Sequence, residues 1–120
     1  ALSGFSNEKK AIQHLCKLGT DIVVITDGDR GATAGDGQAQ YHIKALETNP
    51  VGKTGAGDAF STGFLHAILQ SQDIVTALQN GILNANSVMG HLGAQIGLLT
   101  ESKLKAARKK YGSKLVVKNI

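Results

Sequence analysis

The chain has no tryptophan, one proline, one cysteine and one methionine among 120 residues. The lone cysteine, Cys16, excludes an intrachain disulfide and suits a reducing compartment. It shares a predicted helix face with Ile12 and Leu15, so it is expected in the core rather than at a reactive site. No run of about eighteen apolar residues is present, so no membrane span is expected. No basic-then-apolar leader is visible at the start, and a cytoplasmic location is expected. The chain holds three phenylalanines and two tyrosines, with no interleaved pattern of the kind that stacks nucleic-acid bases. A hydrophobic content of 42% is enough for one domain with a real core.

Charge is uneven. The net charge is +4, yet Lys103, Lys105, Arg108, Lys109, Lys110, Lys114 and Lys118 crowd the last twenty residues against Glu101 alone. Such a tail can bind nucleic acid or an acidic surface. A solvated helix face accounts for it more simply, and nucleic acid is not the expected partner. The histidines His14, His42, His66 and His91 share no metal-ligand spacing, and the first three are expected at the surface or an interface.

What the chain does have is glycine, concentrated where it is most informative. Pro50-Val-Gly-Lys-Thr-Gly-Ala-Gly-Asp-Ala-Phe-Ser-Thr-Gly-Phe64 begins as an irregular loop and ends with the apolar spacing of a helix. The backbone N–H groups around Gly55, Ala56, Gly57 and Asp58 are then the unpaired donors of a first helical turn, a ready anion site. A carboxylate beside an anion cradle makes sense if it takes a proton from a hydroxyl that attacks phosphorus held there. The plainer alternative is a glycine-rich turn with Asp58 as partner to the helix dipole. A P-loop is excluded because Glu47 stands where its first glycine belongs. A dinucleotide fingerprint started at Gly55 fails at Phe60.

Periodicity predicts a helix over residues 8–18, with Asn7 as a cap and Gly19 as the stop. An unbroken apolar run over 21–26 predicts a strand covered on both faces of a mainly parallel sheet. A hairpin is expected across Gly35, Asp36 and Gly37, joining 31–34 to 38–43. Further helices are expected from about Gly57 to Gln70, from an Asp73 cap to about Gly90, and from Thr100 to Tyr111, where Gly112 ends the last. Residues 115–117 read as a final short strand. These alternating elements give an α/β class.

Residues 54–64, Thr-Gly-Ala-Gly-Asp-Ala-Phe-Ser-Thr-Gly-Phe, closely resemble a signature of the ribokinase-like sugar kinases, the phosphofructokinase-B family, which also contains adenosine kinases. Upstream, Ile22-Val-Val-Ile-Thr-Asp-Gly-Asp-Arg-Gly-Ala32 is similar to the family's strand and Thr-x-Gly-x-x-Gly turn. Downstream, His91-Leu-Gly-Ala-Gln95 is similar to its Gly-Ala segment. The resemblance covers most of residues 1–100. It implies the C-terminal part of a ribokinase-like three-layer α/β/α sandwich, with the substrate half and lid outside residues 1–120. The opening Ala1-Leu-Ser-Gly4 resembles the segment just after an Asn-x-x-Glu motif.

The resemblance further implies ATP and Mg2+ as cofactors and phosphoryl transfer to a sugar or nucleoside hydroxyl. Asp58 would be the base, and Gly55, Ala56 and Gly57 the anion hole. Thr26, Asp27, Gly28, Asp29, Arg30, Gly31 and Gly57 would meet the nucleotide, with Ile82 against adenine. A monovalent-cation loop would involve Thr54, Val88, His91, Gly93 and Gly97. Gly52 stands where many relatives carry an aspartate for that cation, with Lys53 beside it, which puts a potassium requirement in doubt. A homodimer of the full-length protein is compatible with the family. Two other functions stay open: a non-catalytic family member that senses a nucleotide or sugar, and nucleic-acid binding through the basic tail.

Overall fold

The computed structural model describes residues 6–46, 56–89 and 99–120. In chain order it has α1 (Ser6–Lys17), β1 (Val23–Thr26), a 3-10 turn (Gly28–Arg30), β2 (Ala32–Gly35) and β3 (Gln40–Ile43). Then follow α2 (Ala56–Leu69), α3 (Ile74–Met89), α4 (Glu101–Tyr111), a second 3-10 turn (Gly112–Lys114) and β4 (Val117–Asn119). Among the described residues, no helix is long and apolar enough to cross a membrane.

The sheet runs β1-β2-β3-β4, and every neighbouring pair is antiparallel. The expected mainly parallel arrangement is therefore corrected for these strands. Two tight turns, at Gly28–Arg30 and at residues 36–39, are too short for the crossover that a parallel pair requires. The second is held by Asp36, whose Oδ1 accepts from the N–H groups of Gln38 at 2.9 Å and Ala39 at 3.0 Å. Those backbone donors hold the Asp36 carboxyl below its ordinary pKa.

The apolar run in β1 comes instead from cover on both faces. Register places Val24, Ala32, Ala34, Tyr41, Ile43 and Val117 on one face, and Val23, Ile25, Thr33, Gly35, Gln40 and His42 on the other. The first face packs on α3, which packs in turn on α2. The second lies under α1, where Ile12 is fully buried. Helix, sheet and helical pair form the three-layer α/β/α arrangement.

Local chemistry fixes the helix ends. Asp73 Oδ1 accepts from the Thr76 N–H at 2.7 Å, the expected N-cap of α3. Thr100 caps α4 by accepting from the Lys103 N–H at 3.3 Å. Gly112, expected to end α4, has φ of −51° and continues into the 3-10 turn, so it is no left-handed stop. Asn7 lies inside α1 rather than capping it. Of the apolar face expected on α1, Ile12 is buried, but Leu15 is 40% and Leu18 71% exposed. The helix meets the sheet near its middle and extends past it. The basic tail is only partly a solvated face: Arg108 donates to Gln79 Oε1 at 2.8 Å and to Asn80 Oδ1, pinning α4 to α3.

The tightest packing is between α2 and α3. A Cβ on Gly63 would stand 2.9 Å from the Asn80 carbonyl oxygen and 3.0 Å from Asn84 Cβ. Phe60 and Phe64 stack at 6.0 Å between ring centroids, and Phe60 lies over Gly81. Burying each ring contributes about 1.5–3 kcal/mol. Gly63→Val is expected to push the helices apart and destabilise the fold by about 1–3 kcal/mol, the usual result of overpacking. Urea unfolding checks this, and an unchanged midpoint would refute the close approach.

Candidate functional site

Helix α2 starts at Ala56, so the backbone N–H groups of its first turn have no partner within the helix. Gly57 and Asp58 are exposed there. A Cβ on Gly57 would meet nothing within 4 Å among the described residues. Glycine in a helix costs about 0.5–1 kcal/mol relative to alanine, and no described packing contact demands it here. The Asp58 carbonyl accepts from Thr62 Oγ1 at 2.9 Å, and the Asp58 carboxylate lies in the acidic first turn.

This turn is tied down from α3. Asn84 is 2% exposed. Its Nδ2 donates to the Ala59 carbonyl at 2.7 Å, and its Oδ1 accepts from the Leu99 N–H at 3.0 Å. The sequence reading passed over Asn84. A signal was present: Asn80 and Asn84 stand four apart in a helix face that is otherwise apolar or glycine, and such amides rarely sit there without partners.

The residues expected to meet a nucleotide after β1 do form one compact turn. The Asp27 N–H donates to the Gly31 carbonyl at 2.8 Å, the Arg30 N–H to Asp27 at 2.9 Å and the Gly31 N–H to Gly28 at 3.1 Å. Thr26, Asp27, Gly28 and Arg30 are exposed. The Arg30 guanidinium lies 3.2 Å from the Asp27 carboxylate, an exposed pair of small energetic weight.

The two glycines have different reasons. Gly28 has φ of +48°, and among the described residues nothing lies within 4 Å of its Cβ position. Gly31 is buried with φ of +93°, and a Cβ there would fall 1.9 Å from the Ile43 carbonyl oxygen. Gly31 is therefore required by its close approach to β3, whatever else the turn meets.

His42, expected at the surface or an interface, is 5% exposed and buried within this chain. Its Nδ1 lies 2.9 Å from Thr33 Oγ1, and the ring also hydrogen-bonds the Arg30 backbone, joining the sheet to the turn. Burial lowers its pKa most, aided by the positive charges of Arg30 and Lys118. The Arg30 backbone bond and Glu8 act in the opposite sense. Register was the missing signal: His42 stands opposite Thr33 on the face covered by α1.

Ile82, expected against adenine, is 5% exposed and packs in the core cluster with Phe60, Phe64 and Leu83. Ala56 and Val88 lie in α2 and α3, and Asp29 in the 3-10 turn. Gly52, Lys53, Thr54, Gly55, His91, Gly93 and Gly97 lie outside the described residues. Among the described residues no group of three or more His, Cys, Asp or Glu side chains could hold a metal ion.

A sheet between helical layers, with a glycine turn after its first described strand and an aspartate in the first turn of α2, makes this a three-layer α/β/α protein. Residues 1–101 match the pfkB family carbohydrate kinases, and the chain belongs to that family. It is 36% identical over 88 residues to 5-dehydro-2-deoxygluconokinase of Bacillus licheniformis, a match covering 72% of this chain and 27% of that protein. The crystal structure of ribokinase from Thermotoga maritima aligns with a TM-score of 0.74 and 26% identity, covering 88% of this chain and 35% of that one. A nucleoside kinase of Methanocaldococcus jannaschii, an archaeal member of the ribokinase family, aligns at 0.68 with 26% identity over 75% of this chain and 30% of its own. The chain thus spans between a quarter and two fifths of the length of these relatives.

The buried His42 gives the turn a pH signature. Its pKa is lowered in the fold, so the native state favours the neutral ring. The stability tied to that ring is present above the ordinary histidine pKa of about 6.5 and is lost as pH falls below it, because the unfolded chain then binds the extra proton. Melting temperature is expected to fall between about pH 7 and pH 5, and to fall less steeply in His42→Gln. Thermal melts at both pH values check this. Equal slopes in the two proteins would contradict it.

Proposed function

We propose that this chain supplies the catalytic-base portion of an ATP-dependent kinase that phosphorylates a hydroxyl of a sugar or nucleoside. The observation that carries the reading is the start of α2: first-turn N–H groups without intrahelical partners, no described atom within 4 Å of the Cβ position at Gly57, and exposed Asp58 in the same turn. Family membership supports it, and relatives named as sugar and nucleoside kinases supply the acceptor classes. The acceptor is a small molecule, and the cytoplasm is the compartment where ATP and a reduced Cys16 are found together.

Asp58 takes the proton of the acceptor hydroxyl as its oxygen attacks the γ-phosphorus. The bond from that phosphorus to the bridging oxygen breaks, and ADP leaves. Backbone N–H groups of residues 55–58 hold the phosphoryl oxygens, where the helix dipole favours negative charge. Gly28, open on its outer side, lets the nucleotide approach the turn, and Thr26 and Arg30 offer donors beside it. Magnesium would travel with ATP and neutralise phosphate charge. No described acidic cluster is assigned to it. Positioning and charge stabilisation carry most of the remaining barrier reduction.

Asp58→Asn in the full-length kinase is expected to reduce turnover by about 10²–10⁴-fold while nucleotide affinity is kept. Steady-state kinetics and calorimetry measure the two quantities. Retention of more than half the wild-type turnover would end the base assignment.

Potassium gives a separate test. Gly52 provides no carboxylate for a cation, and Lys53 beside it offers a fixed positive side chain in its place. Rates in potassium chloride and in tetramethylammonium chloride at equal ionic strength are expected to agree, since screening is held constant. A roughly tenfold rise with potassium would show that a bound cation, not Lys53, supplies the charge.

A further inference from the structure

We infer that Asn84 is a positioning residue for Asp58: its buried carboxamide fixes the first turn of α2 and joins that turn to the chain at Leu99. The inference rests on the assignment of Asp58 as base. Asn84 stands on α3 and reaches across the helix interface. Its Nδ2 donates to the carbonyl of Ala59, the residue directly after Asp58, at 2.7 Å, and its Oδ1 accepts from the Leu99 N–H at 3.0 Å. Leu99 precedes Thr100, the N-cap of α4. One side chain therefore links the starts of two helices from inside a third.

Packing alone gives no reason for an amide here. Asparagine is a poorer helix former than leucine or alanine, and a buried amide is unfavourable unless hydrogen-bonded. Asn84 is 2% exposed, among the apolar side chains that fill the α2–α3 interface. Leucine or alanine would suit that interface on size and polarity. What they could not do is bond at both ends.

The geometry has little slack. Asn84 Cβ lies 3.0 Å from where a Cβ on Gly63 would stand, so the two helices already touch at the next turn. From that fixed base the carboxamide reaches the Ala59 carbonyl on one side and the Leu99 N–H on the other. The first turn of a helix frays most readily, because its N–H groups lack intrahelical partners. A bond from another helix to its carbonyl face restrains both its rotation and its tilt. The direction of the Asp58 carboxylate follows from those two angles. A displacement of about 1 Å at a reacting group can cost on the order of 10²-fold in rate.

The test is steady-state kinetics on the full-length kinase, comparing wild type, Asn84→Ala, Asn84→Asp, Asp58→Asn and the Asn84→Ala/Asp58→Asn double variant. Asn84→Ala is expected to lower kcat by about tenfold or more, with KM for ATP within about twofold. In the Asp58→Asn background the same substitution should have little further effect, because both changes act on one proton transfer. Asn84→Asp keeps the volume and the acceptor for Leu99 but turns a carboxylate toward the Ala59 carbonyl. It should lose at least as much kcat as Asn84→Ala.

Equal losses in both backgrounds, or a raised KM with kcat unchanged, would overturn the positioning role. The base assignment would survive that result, since it stands or falls on Asp58→Asn alone. If Asn84→Ala does not accumulate as folded protein, Asn84→Asp decides. Amide hydrogen exchange of the wild type adds a measurement that needs no variant. The Leu99 amide is expected to be protected to the level of α3, and exchange at an open-chain rate would also overturn the proposal.

Discussion

The contact between α2 and α3 is the constraint on which the rest of the structure depends. Gly63 lets the two backbones meet, Phe60 lies over Gly81, and Asn84 spans what remains. Burial of Phe60, Phe64, Leu78 and Leu83 supplies the driving force, and the glycines set the distance over which it acts. Because α3 also packs on β2, β3 and β4, the same contact fixes where α2 begins relative to the sheet. Stability and site geometry are here one problem. A side chain added between the helices would disturb both.

The turn after β1 is fixed by a different device. There the backbone closes on itself through three short hydrogen bonds, and Gly31 lets it pass against β3 where any side chain would collide. His42 adds a bond from the covered face of the sheet. The turn is closed by its own hydrogen bonds, with no described atom near the Gly28 Cβ position, while Asp58 stands in a helical turn secured from within the core. The two parts expected to meet ATP thus rest on separate supports, one in the sheet and one in the helical pair.

Much of this was legible in the sequence. The hairpin could be read from Gly35, Asp36 and Gly37, the cap of α3 from Asp73 and the start of α4 from Thr100, because turn and cap chemistry is local. The motif over residues 54–64 pointed to the family because glycine and aspartate at that spacing serve few purposes. Strand direction was not legible: an apolar run reports cover on both faces, and antiparallel strands can be covered on both faces too. Nor were the burial of His42 and the exposure of Leu18, which depend on where α1 crosses the sheet. The packing of Gly31 against the β3 backbone was not legible either, because it depends on register. Asn84 was missed because its two partners, Ala59 and Leu99, lie far from it in sequence. Local pattern carries no record of such pairs.

Strand β4 has one more consequence, for the order of assembly. Strands β1, β2 and β3 are joined by tight turns and can pair as soon as they are adjacent. β4 reaches β3 only after three helices have intervened, and the Ile120 N–H then bonds the Gln40 carbonyl at 2.9 Å. Closing so long a loop is entropically expensive until the helices between have condensed and shortened it. The C-terminal strand should therefore be the last part of the sheet to form and the first to detach. Until it docks, β3 is an open edge, able to pair with another molecule's strand. Among the described residues β4 is an edge of this sheet, and Lys118 is a charged side chain of the kind that discourages a further strand from pairing there.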